Sequence, residues 1–230
     1  MHRALQIVMA ALLCALLAPV FNSAAAAPAV PSMFQAEVMF QRAKKAPQPC
    51  GRALACDGYA RLDVHTLKAG AFTIIVDGNA SRMQVASHAL KAYVEIPLQE
   101  SPGDWRSILR SAAAYVFPQS FGMMNIHEAY RKSKGVEQLR GYAVHHAVTG
   151  FDALFMGITH SFEIETWEND AFFPFPLKAT CAETKTTWGG SAYLSRITAD
   201  NALDDAFVLP GDFSRYSSIT DLIIYAIAAF

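Results

Sequence analysis

From Met33 onward the apolar residues of this 230-residue chain recur with a period of two. β-Branched and aromatic side chains alternate with polar ones in short runs that end at Gly, Pro, Asn or Asp. Successive side chains of an extended backbone point to opposite sides, so this period commits the chain to strands that bury one face. The run Lys91 to Pro97 is typical: Lys91, Tyr93 and Glu95 share one side, and Ala92, Val94 and Ile96 share the other. A wet face opposite a dry one is the signature of an antiparallel sheet. The pattern predicts strands at Met33 to Gln41, near Gly58 to Leu67, at Ala71 to Val76, from Arg82 after a tight turn at Asp77 to Asn79, and at Lys91 to Pro97. Together they make an antiparallel meander.

The period then changes. Ser101-Pro102-Gly103-Asp104 reads as a helix start, followed by Trp105, Ile108, Leu109, Ala112, Ala113 and Val116 at three- and four-residue spacing. This amphipathic helix is expected to end at Phe117-Pro118. Beyond it come a segment from Phe121 to Ile126 and a short turn around His127 to Lys134. Two long strands follow, Glu137 to Thr149 and Ala153 to Trp167, hinged at Gly150. Phe175 to Cys181 and Ser191 to Ala199 pair as a further hairpin. At the C-terminus, Ser218 and Asp221 stand at capping-box spacing before Leu222 to Phe230, which predicts a short buried helix. An outer-membrane barrel strand is the rival reading of that terminus. It lacks the apolar–polar alternation of such a strand, and a barrel has no helix in its middle.

The first residues are of another kind. His2 and Arg3 precede an apolar run from Ala4 to Phe21 that ends in the small residues Ser23 to Ala27, the layout of a secretory signal peptide over residues 1–26. Cys14 follows Leu12-Leu13, which is wrong for a lipobox, so the expected mature protein, residues 27–230, is a soluble single domain that does not span a membrane. With 19 basic and 20 acidic residues there is no excess of positive charge for a polyanion, and nucleic acid is not an expected partner. Three cysteines lie beyond the leader: Cys50, Cys56 and Cys181. In an exported chain the expected pairing is the local one, Cys50 with Cys56, clipping a loop between the first two strands.

Signals for catalysis are thin. The chain has no nucleophile elbow, phosphate-cradling glycine loop or helical H-E-x-x-H motif. His145 and His146 are neighbours on a strand and point to opposite faces, so they cannot chelate one ion. A pairing of His146 with His160 across adjacent strands would underlie a third, metal-dependent hydrolase reading, for which no third ligand is evident. No catalytic residue, metal site or cofactor is therefore expected.

The order of elements resembles the half-barrel proteins related to periplasmic lipoprotein carriers, the LolA-like superfamily. The residues that carry the resemblance are Glu137-x-x-x-Gly141 entering a long strand, Phe175-Pro176-Leu177-Lys178 ahead of a strand, and Phe207-x-x-Pro210-Gly211-Asp212-Phe213 after the last one. It implies a mainly β fold in which a curved antiparallel sheet, an incomplete barrel, wraps round a helix on its concave face. It also implies a periplasmic, non-enzymatic protein that binds a lipid or a lipoprotein acyl chain as carrier or sensor. Residues eligible to line the apolar face are Phe72, Ile74 and Val76, then Met83 and Val85, and on the long hairpin Leu154, Met156, Ile158, Phe162 and Ile164. Each buried methylene of a bound chain would contribute about 0.8 kcal/mol. The alternative is an envelope interaction or sensor module, with a protein partner, whose half-barrel is filled by its own C-terminal helix.

Overall fold

The computed structural model describes residues 33–42, 45–56, 58–66, 70–98, 100–102, 104, 107–108, 111, 124–155, 158–185, 189–199 and 204–229. Among them, twelve strands form one sheet in the order β12-β6-β5-β4-β3-β2-β1-β11-β10-β9-β8-β7. The first wing is a meander of β1 (Phe34–Arg42), β2 (Gln48–Cys56), β3 (Tyr59–Thr66), β4 (Gly70–Asp77), β5 (Arg82–Ser87) and β6 (Ala92–Pro97). The second is a meander of β7 (Met124–Leu139), β8 (Tyr142–Phe155), β9 (Ile158–Glu168), β10 (Lys178–Glu183) and β11 (Gly189–Thr198). An antiparallel β1–β11 ladder, with Val38 opposite Leu194, joins the wings. The sheet is curved and stays open, with β7 at one edge and the short β12 (Ser214–Arg215) at the other.

Alternation places the core. On β3, β4 and β5, Leu62, Ile74 and Val85 stand side by side in register, as do Ala60, Val76 and Met83. They share one cluster with Phe34, Ala36 and Val38 of β1 and Val94 and Ile96 of β6. We call this side of the sheet the inner face. The connection from β6 to β7 must travel between the two edges of the sheet. Ile108, one of its few described residues, is fully buried in the same cluster, so the connection crosses the inner face there. Ser107, Ile108 and Ser111 are helical; the rest of the helix expected over Trp105 to Val116 lies outside the described residues, as does the expected signal peptide.

After β11 the chain crosses the outer face of the first wing. A 3-10 turn at Asp204–Phe207 places Phe207 on Tyr59, with ring centroids 5.3 Å apart, and Arg61 donates to the Ala206 carbonyl. Lys91 Nζ donates to Asp212 at 2.8 Å, and the amides of Ser214 and Tyr216 donate to the carbonyls of Lys91 and Tyr93. Those last bonds make β12 a parallel addition to β6. The strap thereby rounds the sheet edge and delivers α1 (Ile219–Ala228) to the inner face.

Two sequence expectations are corrected. Gln48–Cys56 is a strand, not a loop, so Cys50 and Cys56 sit six residues apart along one extended segment. That is roughly 20 Å, and a disulfide needs Cα atoms within about 7 Å, so the expected clip does not form. The long hairpin is also shifted: β7 runs through the segment expected to turn at His127 to Lys134, and the chain reverses at Arg140-Gly141, both with positive φ (54° and 84°). Two left-handed central residues give the turn whose twist suits a two-residue hairpin. Gly150 lies inside β8, where it is not a hinge: a Cβ there would come within 2.3 Å of the Tyr130 ring, which packs over it.

Candidate ligand-binding face

The inner face of the first wing collects the expected residues in three adjacent rows. Phe72, Ile74 and Val76 of β4 stand opposite Ser87, Val85 and Met83 of β5, which in turn stand opposite Ala92, Val94 and Ile96 of β6. All are buried, the least covered being Phe72 at 7% exposure. Among the described residues the one buried charged side chain is Asp77, which alternates to the other face of β4 and pairs with Arg82. Phe162 and Ile164 belong to β9 on the other wing, six strands from β4, or roughly 29 Å along the sheet at normal strand spacing. Ile164 is buried and Phe162 half-buried. Met156 and the side chains of Leu154 and Ile158 lie outside the described residues.

The end of this face is closed by α1. Ser218 caps the helix, its hydroxyl accepting from the Asp221 amide at 3.3 Å, as the spacing in the sequence predicts. Ile219, Leu222 and Ala226 recur at helical spacing and are buried, Leu222 and Ala226 completely; Ala226 packs on Phe72. On the other side Ile224 and Tyr225 are 54% and 55% exposed. A helix of ten residues is marginal by itself in water, so this one persists because its buried stripe rests on β5 and β6. Beneath it sits a feature that sequence reasoning missed. Ser87 is fully buried in the same row as Val85 and Met83, and its hydroxyl has no hydrogen-bond partner among the described residues.

Polar clusters lie on the outer face. Arg61 Nε donates to both oxygens of Asp63, the Thr73 hydroxyl donates to Asp63 at 2.6 Å, and Thr73 Oγ1 lies 2.8 Å from His88 Nε2. The serial Asp–Thr–His arrangement is reminiscent of a nucleophile relay, but Thr73 is fully buried. Its partner His88 instead packs edge-on against Phe213 of the strap. A cleft of about 310 Å³ lies where the strap leaves the sheet, lined among others by Arg82, Gln84, Tyr93, Phe207 and Phe213.

On the second wing, the His146 ring stacks on Trp167 at 4.4 Å, with Lys178 Nζ 4.3 Å from the centre of the indole. His146 Nε2 lies 3.1 Å from Glu165 and Nδ1 lies 3.6 Å from Glu137. Its two nitrogens thus face different carboxylates. His160 is opposite Ala153, seven residues along β8 from His146, and holds Glu183 at 2.7 Å. An odd separation on one strand also means opposite faces, so the His146–His160 metal pair is not formed. Nearby, the Tyr130 phenol is pushed above its ordinary range, chiefly by its hydrogen bond to Glu163.

The fold and this face define a class: an open, single-sheet half-barrel whose apolar inner surface is lidded at one end by its own helix. No family model and no curated protein matches the sequence. Among solved structures, PNGF-II is similar at a TM-score of 0.48 and 9% identity over 84% of this chain, which spans 33% of that protein's length. The lipoprotein LppX of Mycobacterium tuberculosis is similar at a TM-score of 0.30 and 9% identity, over 75% of this chain and 90% of that one. A domain of Vibrio parahaemolyticus described as an outer membrane lipoprotein-sorting protein is similar at a TM-score of 0.25 and 7% identity, over 76% of this chain and 88% of that one. No helix among the described residues is long and apolar enough to cross a membrane.

Proposed function

We propose that this chain is an exported, non-enzymatic binding protein that carries or senses a lipid, a lipoprotein acyl chain or another apolar ligand on the inner face of the half-barrel, in the bacterial periplasm. The observation that carries the reading is the inner face itself. Rows of apolar side chains on β4, β5 and β6 are covered at one end by a helix held through a narrow buried stripe. A bound acyl chain would lie along Phe72, Ile74 and Val76, with Val85 and Met83 beside them. The leader-like residues 1–26 support export.

One observation favours a second reading, an envelope interaction or sensor module filled by its own helix: the expected lining residues of β4 and β5 are at most 7% exposed. A fluorescent fatty-acyl probe separates the two. Under the first reading the intact mature chain binds it with micromolar affinity, and removing residues 222–230 leaves binding unchanged. Under the second, only the shortened chain binds. Absence of binding by both forms would refute the lipid reading.

A further inference from the structure

We infer that Ser87 is the polar anchor of the inner-face site, where its hydroxyl hydrogen-bonds the uncharged head of an amphiphile whose chain lies along β5. The inference rests on the proposed lipid-binding role and specifies the ligand class. Its ground is the orphaned hydroxyl: Ser87 has no exposure to solvent, and its Oγ has no partner among the described residues. A buried hydroxyl left unpaired is unfavourable, and an alanine at the same place, like Ala92 directly opposite on β6, would avoid the penalty. The unfavourable group sits where a ligand would reach it. Ser87 stands opposite Phe72, and Phe72 is the residue on which Ala226 of the lid rests.

The surroundings choose the head group. Two residues of strand advance about 6.6 Å, so the row Ser87, Val85, Met83 runs about 13 Å, enough for a medium-length acyl chain with its head at Ser87. Beside it stand Ile74, Val76, Val94 and Ile96, and no Lys, Arg or His among the described residues is buried. A carboxylate or phosphate there would be a buried, unpaired charge, which the interior disfavours strongly. An ester or amide carbonyl, or an alcohol, needs one hydrogen bond and no counter-ion, and a serine hydroxyl can donate to the first two and exchange a bond with the third.

The test is competition against a bound fluorescent hydrocarbon by methyl laurate, laurate at pH 8 and dodecane, on the mature wild-type chain and on Ser87→Ala. In wild type, methyl laurate is expected to displace the probe about tenfold better than dodecane, and laurate no better than dodecane. In Ser87→Ala the ester loses that advantage, the hydrocarbon binds as before, and the free protein melts at a higher temperature because the orphan is gone. An ester preference that survives in Ser87→Ala, no preference in wild type, or a preference for laurate would each overturn the inference while leaving apolar binding standing. Failure of every probe to bind would overturn both the inference and the lipid reading.

Discussion

Replacing Leu222 by alanine should release the C-terminal helix from the sheet without unfolding the sheet. Leu222 is completely buried, and truncating such a leucine costs about 2–5 kcal/mol. The helix is ten residues long and is anchored by Ile219, Leu222 and Ala226; full burial of the first two stabilises by about 1.5–3 kcal/mol each, against the loss of chain freedom on docking. A docking free energy of only a few kcal/mol remains, so the truncation removes most of it. Native-state amide exchange reads the result residue by residue. The Leu222 amide, bonded to the Ser218 carbonyl, and the Ala229 amide, bonded to Tyr225, should exchange at least tenfold faster, while amides in the β3–β4 and β4–β5 ladders keep their protection. If helix and ladders accelerate together, the helix is part of one cooperative unit and the lid argument is wrong.

Two glycines invite opposite outcomes on substitution by alanine. At Gly51 a Cβ would lie 1.9 Å from the Asp63 carbonyl oxygen, which is backbone, so Gly51→Ala must part β2 from β3 and should cost about 1–3 kcal/mol in a denaturant titration. At Gly150 the obstacle is the ring of Tyr130, which is exposed and able to swing out; Gly150→Ala should change the melting temperature little, while the freed phenol titrates at lower pH than before. Cys50 supplies an alkaline signature, since burial pushes its thiol from 9.0 up to about 11. The folded chain then keeps a proton that the unfolded chain loses. Stability is therefore intact below about pH 9 and is lost as pH rises from there through 11, by less than the roughly 2.7 kcal/mol of the full shift because Cys50 is only partly buried. Cys50→Ala should flatten that slope in urea midpoints measured from pH 8 to 11.

Much of the first wing was legible in the sequence because its strands alternate strictly and are separated by turn residues. Asp77 to Asn79 marks a turn, and the Lys91 to Pro97 pattern gives both the strand and its buried side. The capping of α1 was readable from Ser218 and Asp221 for the same reason: a local hydrogen bond needs a local pair of residues. What failed was non-local or masked by polarity. β2 contains Gln48, Pro49, Gly51 and Arg52 and looks like a loop; it is a strand because β1 and β3 flank it on both sides. β7 carries Arg131, Lys132 and Lys134 on an edge where side chains remain wet, so it lacks a dry face to betray it, and bulges at Glu128/Tyr130 and Ser133/Gly135 break its period. Ser87 was invisible because its importance lies in the hydrogen bond it does not make. The stacking of His146 between strands depends on a register that no single strand records.

The ladder between β1 and β11 bears on how such a chain reaches its folded form. Every other antiparallel pair in the sheet joins strands consecutive in the chain, whereas Gln35 meets Thr198. Hairpins close within microseconds, while a contact between distant residues must wait for the chain between them to be gathered in. Each meander can thus assemble by local pairing before the two are sewn together. The inner surface, which draws on both meanders and on the returning strap, is then among the last parts of the molecule to exist. Until that seam closes, the apolar rows of β4 and β5 form one side of an uncovered sheet, the state in which this chain is most exposed to aggregation and most in need of a chaperone.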